Sequence, residues 1–137
     1  MRRRKNRRER GAAAVEFAVV LPVFLMLVMG AIDFGYYFFV SEIVTNAARE
    51  GARAGSVLDP GALSSDVIEK AETTAEKYIE IGGLKPASVS ASTLVVNGAP
   101  AVQVDVVYPV GTLGSLTGFF SGIMPDNSVA HAVMRWQ

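Results

Sequence analysis

Phe17 to Ile32 is sixteen residues without a charge, and beyond Asp33 the apolar character resumes through Val40. Phe17–Val40 is 24 residues, and a helix needs about 20 apolar residues to cross a bilayer core. The pattern predicts one membrane-crossing helix. Pro22, one turn into it, removes a backbone donor and is expected to bend the helix, which membrane helices tolerate. Tyr36 and Tyr37 suit the outer interface, where a ring with an apolar body and a polar tip is at home. Ser41–Ser56 is rich in small residues: Ala47, Ala48, Gly51, Ala52, Ala54 and Gly55. Such residues allow close helix approach, so this stretch reads as an amphipathic extension or as a face for other subunits. The helix is expected to end near Gly55, a natural stop.

The pattern then changes. Asp59-Pro60 offers an N-cap with proline at the first helical position. Val67, Ala71, Ala75 and Tyr78 recur at helical spacing, broadened by Ile68 and Ile79. Gly82-Gly83 and Pro86 end that second helix. Ser88–Val96 is strand-like, and Asn97-Gly98 is a strong hairpin signal. Val102, Val104, Val106 and Tyr108 alternate with Gln103, Asp105 and Val107, the period of a half-buried strand closed by Pro109. Val129–Trp136 predicts a third strand, with Ala130, Ala132, Met134 and Trp136 on one face and His131 and Arg135 on the other. The fold class is therefore α+β: a long N-terminal transmembrane helix continuing outside the membrane, then a second helix on a small antiparallel sheet of about three strands. Residues 1–11 form a basic head, 12–55 the helix and its extension, and 56–137 a small outer domain. Gly111–Asn127 carries Leu113, Leu116, Phe119, Phe120, Ile123 and Met124 among glycines. Three placements stay open for it: beneath the sheet, in the outer leaflet, or against a neighbouring subunit.

Charge adds direction. The net charge is zero, yet residues 1–10 carry seven basic side chains against Glu9. The remainder has six basic and twelve acidic residues. A basic head before an apolar span stays on the cytoplasmic side, which places the C-terminal part outside. That context favours topology over nucleic-acid binding, so no nucleic-acid partner is expected and the chain is expected to cross a membrane once. The head is also suited to contact with anionic lipid. A secretory signal would need a small-residue cleavage triplet just after its apolar core. The first such triplet after it, Ala52-Arg53-Ala54, stands well past the apolar run.

Glu16 remains to be explained. A carboxylate at the centre of a membrane helix costs on the order of 3 kcal/mol, and less near an end. An ordinary anchor would leave Glu16 among the headgroups. A cut between Gly11 and Ala12 would instead make Glu16 the fifth residue of a new chain. The new amine of one subunit and the Glu16 carboxylate of another would then neutralise each other in a poor solvent. Asp33 has two readings, a solvated marker of the outer edge or an intramembrane polar contact between helices.

The run Arg10-Gly11-Ala12-Ala13-Ala14-Val15-Glu16-Phe17-Ala18, then Leu21-Pro22, Asp33-Phe34-Gly35 and Thr45–Ala54, resembles the TadE-like family. These are pseudopilins of the tight-adherence pilus system, themselves similar to type IV pilins. The family commonly has glutamate before Phe-Gly where this chain has Asp33. The closing Val133-Met134-Arg135 resembles the family's C-termini. The resemblance implies cleavage by a prepilin peptidase at Gly11-Ala12. It further implies assembly through Glu16 and Phe17, with other pilin-like subunits and the pilus assembly machinery as partners.

Catalysis finds no support. There is one histidine and no cysteine, no G-x-S-x-G, no H-E-x-x-H and no phosphate loop. No enzyme activity, metal or cofactor is expected. Asp66, Glu69, Glu72, Glu76 and Glu80 read as a solvated helix face rather than metal ligands. The competing function is a single-pass anchored binding module, with an outer domain that recognises a partner and no pilus role.

Overall fold

The computed structural model describes residues 3–58, 62–85, 87–110, 123 and 125–136, with side chains from Glu9 onward. Five elements follow in order: α1 (Arg3–Ser56), α2 (Ser64–Ile81), β1 (Ser88–Val96), β2 (Ala99–Pro109) and β3 (Asn127–Arg135). The chain is α+β, with a three-stranded antiparallel sheet in the order β1-β2-β3.

α1 is 54 residues long and runs through Pro22 without a break. It has two unlike halves. Ala12 to Met29 is exposed on almost every side, Leu21 being partly covered. From Gly30 a buried stripe appears at Gly30, Asp33, Val40, Val44, Ala47, Ala48, Gly51, Ala52 and Gly55. Steps of three and four residues keep such positions on one helix face. That face packs on α2 and the sheet. The small residues of 41–56 therefore face the chain's own domain.

α2 runs antiparallel to α1. A β-carbon at Gly55 would meet the Val67 carbonyl and the Ala71 side chain, one at Gly51 would meet Ala71 and Ala75, and one at Gly82 would meet Ile43. The buried ridge of α2 is Val67, Ala71, Ala75 and Ile79. Its last member is Ile79 where the sequence pattern pointed to Tyr78. Tyr78 is 38% exposed, because strict four-residue steps from Val67 carry the ridge to 79. The start also differs from expectation. Asp59, Pro60 and Pro86 lie outside the described residues, and the helix begins at Ser64, with Leu63 extended at the N-cap and no side-chain cap. The C-terminus closes as expected at the glycine pair. Gly83 takes φ 76° while its amide donates to Glu80 O and the Leu84 amide donates to Ile79 O, the paired bonds of a Schellman stop.

The hairpin is as the sequence pattern anticipates. Asn97 and Gly98 have φ 51° and 78°, the two positive values of a type I′ turn, and register runs from Val96↔Ala99 to Ser88↔Val107. Val102, Val104, Val106 and Tyr108 are buried on the helix side, with Ala130, Ala132 and Met134 beside them. Each fully buried valine contributes roughly 1.5–3 kcal/mol of transfer free energy. The opposite face of the sheet carries rows such as Ser90, Asp105 and His131 and has no helix over it among the described residues. β3 starts at Asn127, two residues earlier than Val129. Of the apolar Gly111–Asn127 stretch, residues 111–122 and 124 lie outside the described residues. Trp136 ties the C-terminus to the exit of α1 through Nε1–H donated to Leu58 O at 2.9 Å.

Candidate membrane and assembly site

The residues singled out at the N-terminus occupy one exposed helical segment. Gly11, Ala12, Glu16 and Phe17 all lie inside α1 and face solvent. Ala12 and Glu16 are four positions apart, so they share a face one turn apart, about 6 Å along the axis. Phe17 stands on the neighbouring flank, 65% exposed. Glu16 makes no hydrogen bond or ion pair among the described residues. Nothing in the chain's own fold therefore balances its charge.

Gly11 is informative for what does not surround it. A β-carbon there would meet nothing within 4 Å. Glycine inside a helix costs about 1 kcal/mol relative to alanine, and packing gives no return for it. Gly51, Gly55 and Gly82 are different, since each is crowded by a neighbouring element. Gly35 shares the open surroundings of Gly11.

Asp33 lies seventeen residues beyond Glu16, about 26 Å along an ideal helix. It is 1% exposed. It sits inside the fold rather than at a solvated edge. Gly30 and Asp33 are the first buried positions along α1. Between Val15 and Ile32 the exposed large side chains include Val19, Val20, Phe24, Leu25 and Leu27. That bare stretch spans about 27 Å, close to the thickness of a bilayer core. Phe34, Phe38 and Phe39 continue it as exposed apolar side chains. Tyr36 and Tyr37 are half-buried against the domain. Val40 is fully buried by the domain, so the bare part of the helix is shorter than the 24-residue apolar run.

Beyond the membrane segment, Glu50 and Arg53 form the expected pair, with Arg53 Nε donating to Glu50 Oε2 at 2.9 Å. That bond holds the Glu50 carboxyl below the usual glutamate range. A cut at Ala52-Arg53-Ala54 would sever a buried part of α1, since Ala52 is fully enclosed. No cluster of three metal-ligating side chains occurs among the described residues. On the outer sheet face, Asp105 lies between Ser90 and His131 in its row, and its Oδ2 accepts from Gln103 Nε2 at 2.8 Å. A nucleophilic triad needs the histidine between the other two, so this row lacks that order.

The two sheet edges are a feature that hydrophobic patterning did not expose. Val110 N–H donates to Asp126 O and Trp136 N–H to Pro100 O, both at 2.9 Å. Amides alternate along an antiparallel ladder. Even-numbered residues of β3 thus face β2, and those of 127, 129, 131, 133 and 135 face outward. On the other edge the outward amide of Ala91 is taken by Glu72 Oε1 at 2.8 Å. α2 therefore guards β1, and no such bond is made to β3 among the described residues.

A helix long and apolar enough to cross a membrane, bare over its first half and carrying a compact α+β domain on its second, is the form of a single-pass anchored protein. Residues 11–53 match the family model described as TadE-like protein. The match covers about a third of the chain and nearly all of α1 after the basic head, and it suggests a pilin-like protein associated with tight-adherence pili. No curated protein and no solved structure matches the chain.

Proposed function

We propose that this protein is a minor pilin-like subunit of a tight-adherence pilus system. It is cut by a prepilin peptidase between Gly11 and Ala12 and assembles through Glu16. The observation that carries the reading is Glu16 itself. It is an exposed acid without a partner on the bare apolar half of α1, within the segment that matches the TadE-like family. Cleavage releases an amine one turn away on the same face. The amine of one subunit then neutralises the Glu16 carboxylate of another, which lowers the cost of keeping both in hydrocarbon. Phe17 and the apolar flank supply contact between helices. Loss of the head also leaves the chain with six more acidic than basic side chains.

In this reading the basic head is cytoplasmic and the α+β domain lies outside the inner membrane, with the peptidase and the assembly machinery as partners. Removal of the charge tests it. Glu16→Ala is expected to insert in the membrane and fold normally, yet to abolish piliation in cells that carry the pilus system. The competing anchored binding module predicts a harmless substitution, and unchanged piliation would reject the assembly role.

A further inference from the structure

We propose that the open edge of β3 is a docking site for an extended segment of another protein chain, one with alternating apolar residues and a carboxylate at one end. Three observations carry this. The first is the edge itself. β3 is nine residues long, and its outward amides from Val129 to Arg135 are free of hydrogen bonds among the described residues. An exposed strand edge of that length is a template for strand addition unless something blocks it. β1 has its Glu72 bond; β3 has no equivalent, and no proline lies within it.

The second observation is the shape beside the edge. Arg53, Ser56 and Val57 at the end of α1 face Val133, Met134 and Arg135 across a recess of about 580 Å³. An added strand sends alternate side chains to opposite faces of the sheet. One set would enter this recess. The other would lie beside Val129 and Val133, 65% and 43% exposed, which offer apolar contact on the outer face.

Charge is the third. β3 has no acidic side chain and carries His131 and Arg135. The body of the chain after residue 10 is otherwise acidic, with twelve acids to six bases. Asp126 precedes the strand, Asp105 lies opposite His131, and Glu50 holds Arg53. Arg135 makes no ion pair among the described residues and stands at the recess end of the edge. A carboxylate there would gain a charge-assisted hydrogen bond.

A second copy of this chain is a poor occupant. Antiparallel pairing of β3 with its own copy needs a two-fold axis normal to the sheet. α1 lies flat on the sheet, so that axis would reverse its direction. The two apolar halves would then point opposite ways and could not enter one membrane from the same side. The occupant is a different chain, offering a strand.

The test uses the full chain in detergent micelles with hydrogen exchange at single-amide resolution. The probe is a synthetic, end-blocked peptide of alternating valine and threonine with one terminal glutamate; a second peptide carries lysine in its place. The expected result is slowed exchange at Val129, His131 and Val133 with the glutamate peptide, and about tenfold weaker binding of the lysine peptide. Val133→Pro removes one outward amide, leaves the ladder to β2 intact, and is expected to abolish the protection. Arg135→Glu is expected to invert the peptide preference and serves if the proline variant fails to fold. Absence of protection at millimolar peptide, protection at the β1 edge instead, equal binding of both peptides, or protection that depends on protein concentration without peptide would each overturn the proposal.

Discussion

A β-carbon added to Gly51 would lie 2.9 Å from the Ala75 β-carbon and 2.7 Å from the Ala71 carbonyl oxygen. α1 and α2 touch there with no room for a side chain. The contact joins the membrane-derived helix to the domain it carries, so its disruption is a test of the whole packed unit. Alanine at 51 would gain about 1 kcal/mol of helix propensity but must push a backbone carbonyl aside. Overpacking of this kind costs typically 1–3 kcal/mol. Gly51→Ala is therefore expected to lower the thermal midpoint of the full chain in detergent, followed by circular dichroism. Gly35→Ala, with open space around it, is expected to leave the midpoint unchanged or raise it.

The end of the α2 ridge makes a second contrast. Ile79 is buried and Tyr78 is 38% exposed. Ile79→Ala is expected to destabilise by about 2–5 kcal/mol, whereas Tyr78→Ala should stay within about 0.5 kcal/mol. Urea denaturation of the two variants decides which residue closes the face. Equal losses would contradict the packing described.

Trp136 gives a third. Its indole N–H donates to Leu58 O, and Trp136→Phe keeps an aromatic ring but removes the donor along with the five-membered part of the indole. The expected loss is about 1 kcal/mol, read from the unfolding midpoint. In the parent chain the indole fluorescence should shift to the red when the domain unfolds.

The Glu50–Arg53 pair predicts a pH dependence. The hydrogen bond from Arg53 holds the Glu50 carboxyl below its ordinary value, so the folded state favours the charged form. The stabilisation is present above the ordinary glutamate range and is lost as the pH falls through the lowered value. Both side chains lie at the surface, where salt and side-chain entropy weaken such a bond. A small difference in thermal midpoint between the parent chain and Glu50→Gln is expected at neutral pH, vanishing in acid and at high salt.

Much of this architecture is legible in the chain. The hairpin follows from Asn97-Gly98, which only a turn with two positive φ values uses well, and the alternation Val102 to Tyr108 orients β2 correctly. The Gly82-Gly83 stop follows from the freedom of Gly83 to take φ 76°. What local patterning misses is tertiary. The small residues of 41–56 fit a subunit interface as well as an internal one, and only the placement of α2 against Gly51 and Gly55 decides for the domain itself. The four-step ridge that selects Ile79 over Tyr78 depends on the same contact. The start of α2 at Ser64 has no capping side chain to announce it. At the assembly segment, the sequence identifies Gly11, Glu16 and Asp33 by their oddity, but their surroundings differ in a way no pattern records. Gly11 and Glu16 are bare, and Asp33 is enclosed. The open edge of β3 is likewise a matter of which amides face outward, which register alone determines.

The most direct measurement of the central claim is the N-terminus of the mature protein. Intact mass and N-terminal sequencing of the protein extracted from its native membrane should show a chain that begins at Ala12, and Gly11→Ala should leave the basic head attached. A chain that retains residues 1–11, or one that begins at Ala54 or later, would contradict the account.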